Sequence, residues 1–195
     1  MLKVENLSFA YSKNNNIIEN FNYNFQKGKS YVICGDNGVG KTTLLKLLLG
    51  LLKPSTGVVE RMNDYSVAYV PDYNGLYENL TLMDNVLFRL GLYDKKFSQV
   101  EDCFEKWIRL YGLEKYKASY IRELSLGTKK KIGLLCAMLT MPQMLVLDEP
   151  TGGLDEPSKK EFIGILNKLD EDMLIIAVTH DDYYIKNFES TMIRL

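Results

Sequence analysis

The chain has 195 residues, 46% of them hydrophobic, and Lys+Arg 24 against Asp+Glu 25 gives a formal net charge of -1. This length and apolar content predict one large domain, or two closely packed subdomains, around a hydrophobic core. The nearly neutral charge argues against nucleic acid as a partner, because no global positive field attracts phosphate backbones.

The cysteines and the apolar runs indicate the compartment. Cys34, Cys103 and Cys136 are an odd number of cysteines, widely spaced and without a CxxC pair, so we expect buried thiols in a reducing compartment. The first five residues lack the pattern of a signal peptide, and no apolar run approaches the roughly 20 residues that span a bilayer. A role at the membrane would therefore require docking onto another protein.

The first half of the chain is predicted to begin with two strands. Apolar and polar residues alternate over residues 7–11 and 21–25, which predicts an antiparallel hairpin with one solvated face around the Asn-rich turn at 14–16. The short apolar run Ser30–Cys34 predicts a buried strand, and it is followed by glycines and by a helical pattern over residues 42–49.

The second half of the chain predicts an alternating β/α pattern. Residues 58–59 and 67–70 indicate a second small β region, and the apolar residues of 82–117 recur at helical spacing, which predicts a helical insert. The remaining predicted elements are a helix from near Ser125, a buried strand over 144–147, a helix over 157–169 and a strand over 174–178.

Residues 35–42, Gly-Asp-Asn-Gly-Val-Gly-Lys-Thr, match the phosphate-binding pattern GxxxxGKT between a predicted strand and a predicted helix. Glycines allow successive backbone N–H groups to turn toward phosphate oxygens, and the helix N-terminus adds its positive dipole end. Lys41 is expected to pair with the outer phosphates of a nucleotide, and the Thr42 hydroxyl to bind magnesium. The predicted nucleotide-binding residues are Gly35, Asp36, Asn37, Gly38, Val39, Gly40, Lys41, Thr42 and Thr43.

Two carboxylates follow the buried strand over 144–147, at the strand end where open α/β sheets bind ligands. We expect Asp148 to hold the metal ion and Glu149 to orient an attacking water. The alternative, an ordinary acidic turn, is disfavoured beside a phosphate loop. His180, the only histidine, follows the last predicted strand at the same edge, so we predict that it bonds the terminal phosphate or the water, although a lone histidine can also be structural.

The segment Leu124-Ser125-Leu126-Gly127-Thr128 resembles the LSGGQ signature motif of ATP-binding-cassette (ABC) proteins. The phosphate loop, this segment, residues 147–151, Gly153-Leu154-Asp155 and His180 stand in the order of that family, and the resemblance covers essentially the whole chain. It implies an α/β fold of the P-loop NTPase, ABC ATPase type, with an N-terminal antiparallel β subdomain and a mostly parallel core sheet. The chain would be a single domain over 1–195, with a helical subdomain at about 82–138 inserted in the RecA-like core.

The resemblance also implies a head-to-tail dimer of cassettes, identical or different. ATP would lie between the phosphate loop of one subunit and the signature segment of the other, with Ser125, Gly127 and Asp155 as contacts across the interface. Ser125 is a good N-cap and Gly127 allows close backbone approach, so this helix start can present N–H groups to a γ-phosphate. Lys129, Lys130 and Lys131 oppose the helix dipole unless phosphate is present, and each is interpreted as part of a solvated face. Tyr11 matches the aromatic residue that stacks on adenine, with a plain strand aromatic as the alternative.

The chain departs from the family pattern at Asp72, where glutamine is usual, at Leu126 and Thr128 in the signature segment, and at Gly152, where serine is common. Asp72 can still reach magnesium through water. The LSLG form and the acidic residue resemble cassettes of bacitracin-resistance and antibiotic or lantibiotic exporters, whose membrane subunits are separate chains. The short segment after His180 disfavours an importer with a C-terminal regulatory domain.

The predicted function is therefore an ATP-hydrolysing subunit that uses ATP and Mg²⁺ and powers export by a separate transmembrane permease. It would lie in the cytoplasm at the inner face of the membrane. Tyr73, Leu76, Tyr77 and Leu80 are the candidate docking residues, with ordinary packing as the alternative. The alternative functions are a soluble cassette ATPase acting on ribosomes, DNA ends or iron–sulfur assembly, and a phosphate-loop kinase, for which the signature segment would be an accident.

Overall fold

A computed structural model gives the structure of the chain and describes residues 2–12, 15–61, 65–169 and 172–195. The strands are β1 (Leu2–Ser12), β2 (Asn15–Phe25), β3 (Ser30–Cys34), β4 (Thr56–Arg61), β5 (Val67–Val70), β6 (Met144–Asp148), β7 (Leu174–Val178) and β8 (Thr191–Arg194). The helices are α1 (Lys41–Leu48), α2 (Leu82–Gly91), α3 (Glu101–Leu110), α4 (Leu126–Met138), α5 (Glu156–Leu166) and α6 (Asp182–Asn187), with short 3₁₀ turns at Phe97–Gln99, Glu114–Tyr116 and Ile121–Glu123.

The first sheet is antiparallel, in the order β2-β1-β4. Leu2, Val4, Leu7 and Phe9 of β1 are buried in a core that also receives α1, while the residues between them are more exposed. This alternation places one face of the sheet on the core and the other in solvent. The predicted hairpin is confirmed by the pairing of β1 with β2. Asn14 of the predicted turn lies outside the described residues.

The second sheet is parallel, in the order β5-β6-β7-β3-β8. Its central strands β6 and β7 are buried at every residue, which explains their continuous apolar runs. The pairings of Ile33 with Val178 and of Leu147 with Ala177 bring the carboxyl ends of β3, β6 and β7 to one edge. The phosphate loop, the Asp148 and Glu149 pair and His180 all follow these strand ends, as the sequence predicts.

The helical insert of the sequence analysis consists of two helices, α2 and α3, packed with α4 in a core that continues to the parallel sheet. Thr81 begins α2 with a capping box that includes Asp84. Residues between Gly91 and Glu101 are not α-helical, so the continuous pattern predicted over 82–117 is interrupted there.

Three expectations require correction. Residues 58–59 and 67–70 do not form one β region, because β4 joins the antiparallel sheet whereas β5 lies at the edge of the parallel sheet. The helix predicted over 157–169 begins and ends earlier, as α5. Cys34 and Cys136 are buried free thiols, as expected, but Cys103 is only half-buried. Helix α6 and strand β8 were not predicted from the sequence.

Candidate functional site

The phosphate loop connects β3 to α1. Gly40 has a φ of 113°, and a Cβ atom there would lie 2.7 Å from Cγ2 of Ile17, so both conformation and space require glycine. Lys41 is only 7% exposed and donates hydrogen bonds from Nζ to the carbonyl oxygens of Gly35, at 2.9 Å, and Asp36, at 3.0 Å. Its ammonium group therefore lies inside the loop, where its hydrogen bonds can pass from these carbonyl oxygens to the oxygens of a phosphate.

Asp148 lies directly against the phosphate-loop helix. Thr42 donates a hydrogen bond from Oγ1 to Oδ1 of Asp148 at 3.3 Å, and Tyr69 of β5 donates one from its hydroxyl to Oδ2 at 3.1 Å. Burial raises the pKa of the Asp148 carboxyl above its ordinary value, and these two hydrogen bonds oppose that shift. Burial, followed by the charge of Asp148, also raises the pKa of Tyr69.

Glu149 is held by the two residues that follow β7. Thr179 donates a hydrogen bond from Oγ1 to Oε2 of Glu149 at 2.9 Å, and Nδ1 of His180 lies 2.8 Å from Oε1. Glu149 has a φ of 45°, an uncommon conformation for a residue other than glycine, and this turn aims its side chain toward His180. The structure thus brings Glu149 and His180 into direct contact, and these are two of the three predicted catalytic residues, the third being Lys41.

The oxygen ligands suit magnesium. Thr42 and Asp148 supply a hydroxyl and a carboxylate within hydrogen-bond distance of each other. Mg²⁺ takes few protein ligands and completes its shell with water and phosphate, so a full cage of side chains is unnecessary. Asp72, the third predicted ligand, has a 65% exposed side chain, and its Oδ1 lies 3.5 Å from Nζ of Lys130.

Tyr11 lies beside the phosphate-loop helix at the end of β1. Its hydroxyl is 3.2 Å from Oγ1 of Thr43, and its ring packs edge-on against Phe9 with 4.9 Å between the centroids. The side chain is nonetheless 61% exposed. A flat, accessible aromatic face next to the phosphate loop can stack on a nucleotide base.

Ser125, Gly127 and Asp155 form a second group around the starts of α4 and α5. Ser125 is confirmed as the N-cap of α4, since its Oγ accepts from the Thr128 N–H at 3.3 Å. Asp155 caps α5 by accepting from the Ser158 N–H at 3.0 Å. Hydrogen bonding from the Ser158 side chain, and then from its N–H, lowers the pKa of the Asp155 carboxyl. A Cβ atom on Gly127 would lie 3.3 Å from Oγ of Ser158, so the two helix starts are in contact. In the described part of the chain, no hydrogen bond joins this group to the phosphate loop.

The three lysines of α4 differ from the predicted solvated face. Lys129 pairs with Glu78 and Lys131 with Glu161, but Lys130 is buried, with a 3% exposed side chain. Its Nζ donates to the carbonyl oxygens of Glu149, at 3.0 Å, and Asp72, at 3.3 Å. Burial lowers the pKa of Lys130, and the Asp72 carboxylate opposes that shift. The interpretation as a solvated residue is therefore wrong for Lys130.

Comparison with known families decides the identity of this arrangement. The family model described as ABC transporter matches residues 18–152, which run from β2 through the phosphate loop and the signature segment to the turn after Glu149. The chain belongs to the ABC transporter family. Its fold is that of the ABC ATPase cassette, as the sequence resemblance implies.

Several ABC transporter ATP-binding proteins are similar to the chain. One from Pyrococcus abyssi (strain GE5 / Orsay) is 36% identical, with 93% of this chain and 74% of that protein covered. The lantibiotic transport ATP-binding protein SrtF of Streptococcus pyogenes is 31% identical, with 92% and 80% covered. Other relatives are much longer than the chain. The chain spans only 36% of an ABC transporter ATP-binding protein from Vibrio vulnificus (strain CMCP6) and 34% of one from Bacillus cereus.

Solved ABC cassettes have the same fold. A structure described as the ATP binding subunit of an ABC transporter has a TM-score of 0.85 and 26% identity, with all of this chain and 85% of that chain covered. A dimeric cassette in a post-hydrolysis state, bound to ADP and Pi, has a TM-score of 0.83 and 23% identity, with 100% and 94% covered. Among the described residues of this ABC protein, none of the helices combines the length and the apolar character that a membrane span requires.

Sequence motifs did not identify several residues that hold the ABC site together. Tyr69, Thr179 and Lys130 each bond a predicted site residue, and Asp181 joins Oγ1 of Thr151, at 2.7 Å, to Nζ of Lys159, also at 2.7 Å. Polar residues at the ends of β5 and β7 were a signal for Tyr69 and Thr179, because the strand ends meet at one edge. The sequence contains no comparable signal for Lys130.

Proposed function

We propose that the chain binds and hydrolyses ATP at its phosphate loop and is the ATP-hydrolysing subunit of a transporter whose membrane part is a separate chain. One observation carries the proposal. The Glu149 carboxylate is held between Thr179 and His180, one residue beyond an Asp148 that lies against Thr42. Hydrolysis of ATP requires a water-orienting group next to the phosphate and metal site, and these contacts support that role for Glu149.

The proposed reaction is an in-line attack of water on the γ-phosphorus of ATP. Glu149 orients the water and takes up its proton while the bond from the γ-phosphorus to the bridging oxygen breaks, which releases ADP and phosphate. His180, 2.8 Å from the Glu149 carboxylate, fixes that side chain and can bond the γ-phosphate. Lys41 stabilises charge on the outer phosphates. Thr42, Asp148 and, through water, Asp72 would hold Mg²⁺, which neutralises charge on the phosphates when bound.

Hydrolysis in a head-to-tail dimer is part of the proposal. Ser125 and Gly127 start a helix that can present N–H groups to an anion, and Asp155 caps the neighbouring helix. These residues bond within their own group, so a phosphate loop contributed by a second cassette would complete the site. The similar fold of a cassette described as a dimer with ADP and Pi supports this arrangement. ATP would close such a dimer and hydrolysis would reopen it.

Export is proposed from the LSLG segment, from Asp72 and from the similarity to a lantibiotic transport ATP-binding protein. We place the protein in the cytoplasm at the inner face of the membrane. The proposed docking surface for a helix of the membrane subunit is formed by Tyr73, Leu76, Tyr77 and Leu80. Tyr73 is 79% exposed and Tyr77 52%, and aromatic side chains of this kind are enriched in protein interfaces.

ATP hydrolysis by the purified chain tests the first part of the proposal. We expect the native chain to release phosphate, Lys41→Ala to lose both binding and hydrolysis, and Glu149→Gln to bind ATP while its turnover falls about 100-fold or more. Tyr65→Phe, which removes a hydroxyl bonded to Gln143 outside the site, is the matched control and should keep native turnover. An unchanged rate in Glu149→Gln would show that another group orients the water.

Co-purification tests the second part. Tagged Glu149→Gln, extracted from native membranes with ATP and mild detergent, should retain a multi-span membrane protein in near-equal amount. Recovery with ribosomes or nucleic acid, or in the soluble fraction alone, would instead support the soluble class of cassette ATPase. Transfer of phosphate from ATP to a small acceptor would support the kinase alternative.

A further inference from the structure

Lys130 is a buried cation that contacts two other parts of the chain through three oxygen atoms. It lies in α4, and its Nζ is within hydrogen-bond distance of the Glu149 carbonyl oxygen at 3.0 Å, the Asp72 carbonyl oxygen at 3.3 Å and Asp72 Oδ1 at 3.5 Å. An ammonium group has three N–H donors, and its burial is unfavourable unless all three are satisfied. The three oxygens match this requirement, so the side chain has one well-defined position.

The contact with Glu149 acts on the backbone of the proposed catalytic residue. With φ at 45°, the Glu149 peptide is in a conformation that persists only where its surroundings fix it. Its carbonyl oxygen accepts from Lys130 Nζ and from the Gly152 N–H, at 3.1 Å. Because that peptide sets the direction of the side chain, Lys130 helps to determine where the carboxylate lies.

The contact with Asp72 connects a second loop to the same ammonium group. One helical turn beyond Lys130, a Cβ atom on Gly133 would lie 3.1 Å from the carbonyl oxygen of Asn74 and 3.2 Å from its Cβ. The face of α4 formed by Lys130 and Gly133 is thus the face on which the Asp72–Asn74 loop packs. The acidic residue that departs from the family pattern is thus paired with a buried cation on this face of α4.

We propose that Lys130 is a positioning residue for ATP hydrolysis, whose ammonium holds the Glu149 peptide and the Asp72 loop against α4 so that the Glu149 carboxylate faces the attacking water. This inference rests on the proposed hydrolytic function. It connects the helix that begins at the signature segment to the water-orienting carboxylate of the same subunit.

Lys130→Met tests the inference, because methionine keeps much of the unbranched side chain and removes the charge and its donors. The matched control is Lys95→Met. Lys95 is also partly buried, and its Nζ donates a hydrogen bond to the backbone carbonyl oxygen of Thr140 at 2.7 Å. Thr140 lies just beyond the other end of α4. We expect Lys130→Met to lower kcat on the order of 10- to 100-fold with KM for ATP within about twofold, as for a misplaced catalytic group. Lys95→Met should keep native kcat.

A second measurement separates positioning from a general loss of structure. A residue that acts through Glu149 has nothing to position once that carboxylate is replaced. The double variant that carries both Glu149→Gln and Lys130→Met should therefore turn over as slowly as Glu149→Gln alone, within about twofold. Lys130→Gln keeps a hydrogen-bond donor and should recover at least part of the kcat lost in Lys130→Met. It also serves as the test if Lys130→Met does not fold.

Each outcome has a defined meaning. If Lys130→Met and Lys130→Gln keep native kcat, or if Lys130→Met lowers kcat equally in the native and Glu149→Gln backgrounds, the positioning role is overturned while the hydrolytic function stands. If the native chain itself hydrolyses no ATP under conditions where it binds ATP, the proposed function fails first. The native control therefore distinguishes the two failures.

Discussion

The hydroxyl of Tyr69 donates a hydrogen bond to Oδ2 of Asp148 across 3.1 Å, from the edge strand β5 to its neighbour β6. The other carboxylate oxygen faces Thr42 at 3.3 Å. Tyr69 therefore fixes the orientation of the carboxylate and leaves Oδ1 toward the phosphate loop.

Tyr69→Phe should raise the Mg²⁺ concentration that ATP hydrolysis requires. Loss of one hydrogen bond to a charged group costs about 1.5–3 kcal/mol, which corresponds to an increase on the order of 10-fold or more in the Mg²⁺ concentration for half-maximal rate. Because that bond lowers the pKa of Asp148 against the effect of burial, its removal should move the acid limb of the pH–rate profile to higher pH. Tyr65→Phe is the control, and equal Mg²⁺ curves for the two variants would contradict the assignment.

Thr179→Val should lower both activity and stability. The Thr179 hydroxyl donates to Glu149 and accepts from the Asp181 N–H at 3.0 Å, so valine leaves both groups without this partner. We expect kcat to fall about 10-fold and the free energy of unfolding to fall by about 1–3 kcal/mol. The buried Thr140, whose hydroxyl donates to Ala137 at 2.8 Å, provides the control Thr140→Val. That variant should lose stability in urea titrations and keep kcat.

Asp181→Asn should change the acid dependence of stability. Burial would raise the pKa of Asp181, but Lys159, Thr151 and the Tyr183 N–H outweigh it and lower that pKa below the ordinary 3.8. A carboxyl with a lowered pKa stabilises the fold fully above its unfolded pKa, and the contribution is lost as pH falls through the folded value.

Asparagine still caps α6, so the substitution removes mainly the charge. In urea titrations the stability difference between the native chain and Asp181→Asn should stay constant above about pH 5 and shrink below about pH 4. A difference that grows toward low pH would show the opposite sign of linkage.

Tyr77→Ser tests the docking surface. The Tyr77 ring is exposed and packs at 4.6 Å between centroids on the ring of Phe88 in α2, so it presents an apolar face beside the Asp72 loop. We expect recovery of the membrane partner to fall about fivefold or more, while ATP hydrolysis by the isolated chain stays native. Leu51→Ser, at another exposed apolar residue after α1, should leave recovery unchanged.

The parts of the fold and site that sequence predicted have local signals. GxxxxGKT needs only eight neighbouring residues. The short, continuously apolar runs of β6 and β7 lack the polar positions of an amphipathic helix, so they indicate buried strands. Residues 58–59 and 67–70 were joined wrongly because two short apolar runs look alike, and the sheet each enters depends on distant partners. Strand β8 has one buried residue in four, too few for a periodic pattern.

Side-chain partners were harder to predict than motifs. Lys130 stands between two lysines that do face solvent-exposed carboxylates, and its own partners lie 58 and 19 residues away in the chain. Nothing in the local spacing distinguishes it from its neighbours. The role of Asp72 was equally unclear from sequence, because the cation that pairs with it is read as a surface residue until the helix and loop are packed.

Strand β3 receives both of its neighbours, β7 and β8, from residues after Leu174. A ribosome makes the chain from the N-terminus, so the phosphate-loop strand emerges long before either partner exists. Until the last strands are made, both of its edges expose unpaired backbone groups that can pair with other chains. The order of synthesis therefore makes the nucleotide site one of the last features to form, and it gives the nascent chain a period of exposure in which chaperones would be most valuable.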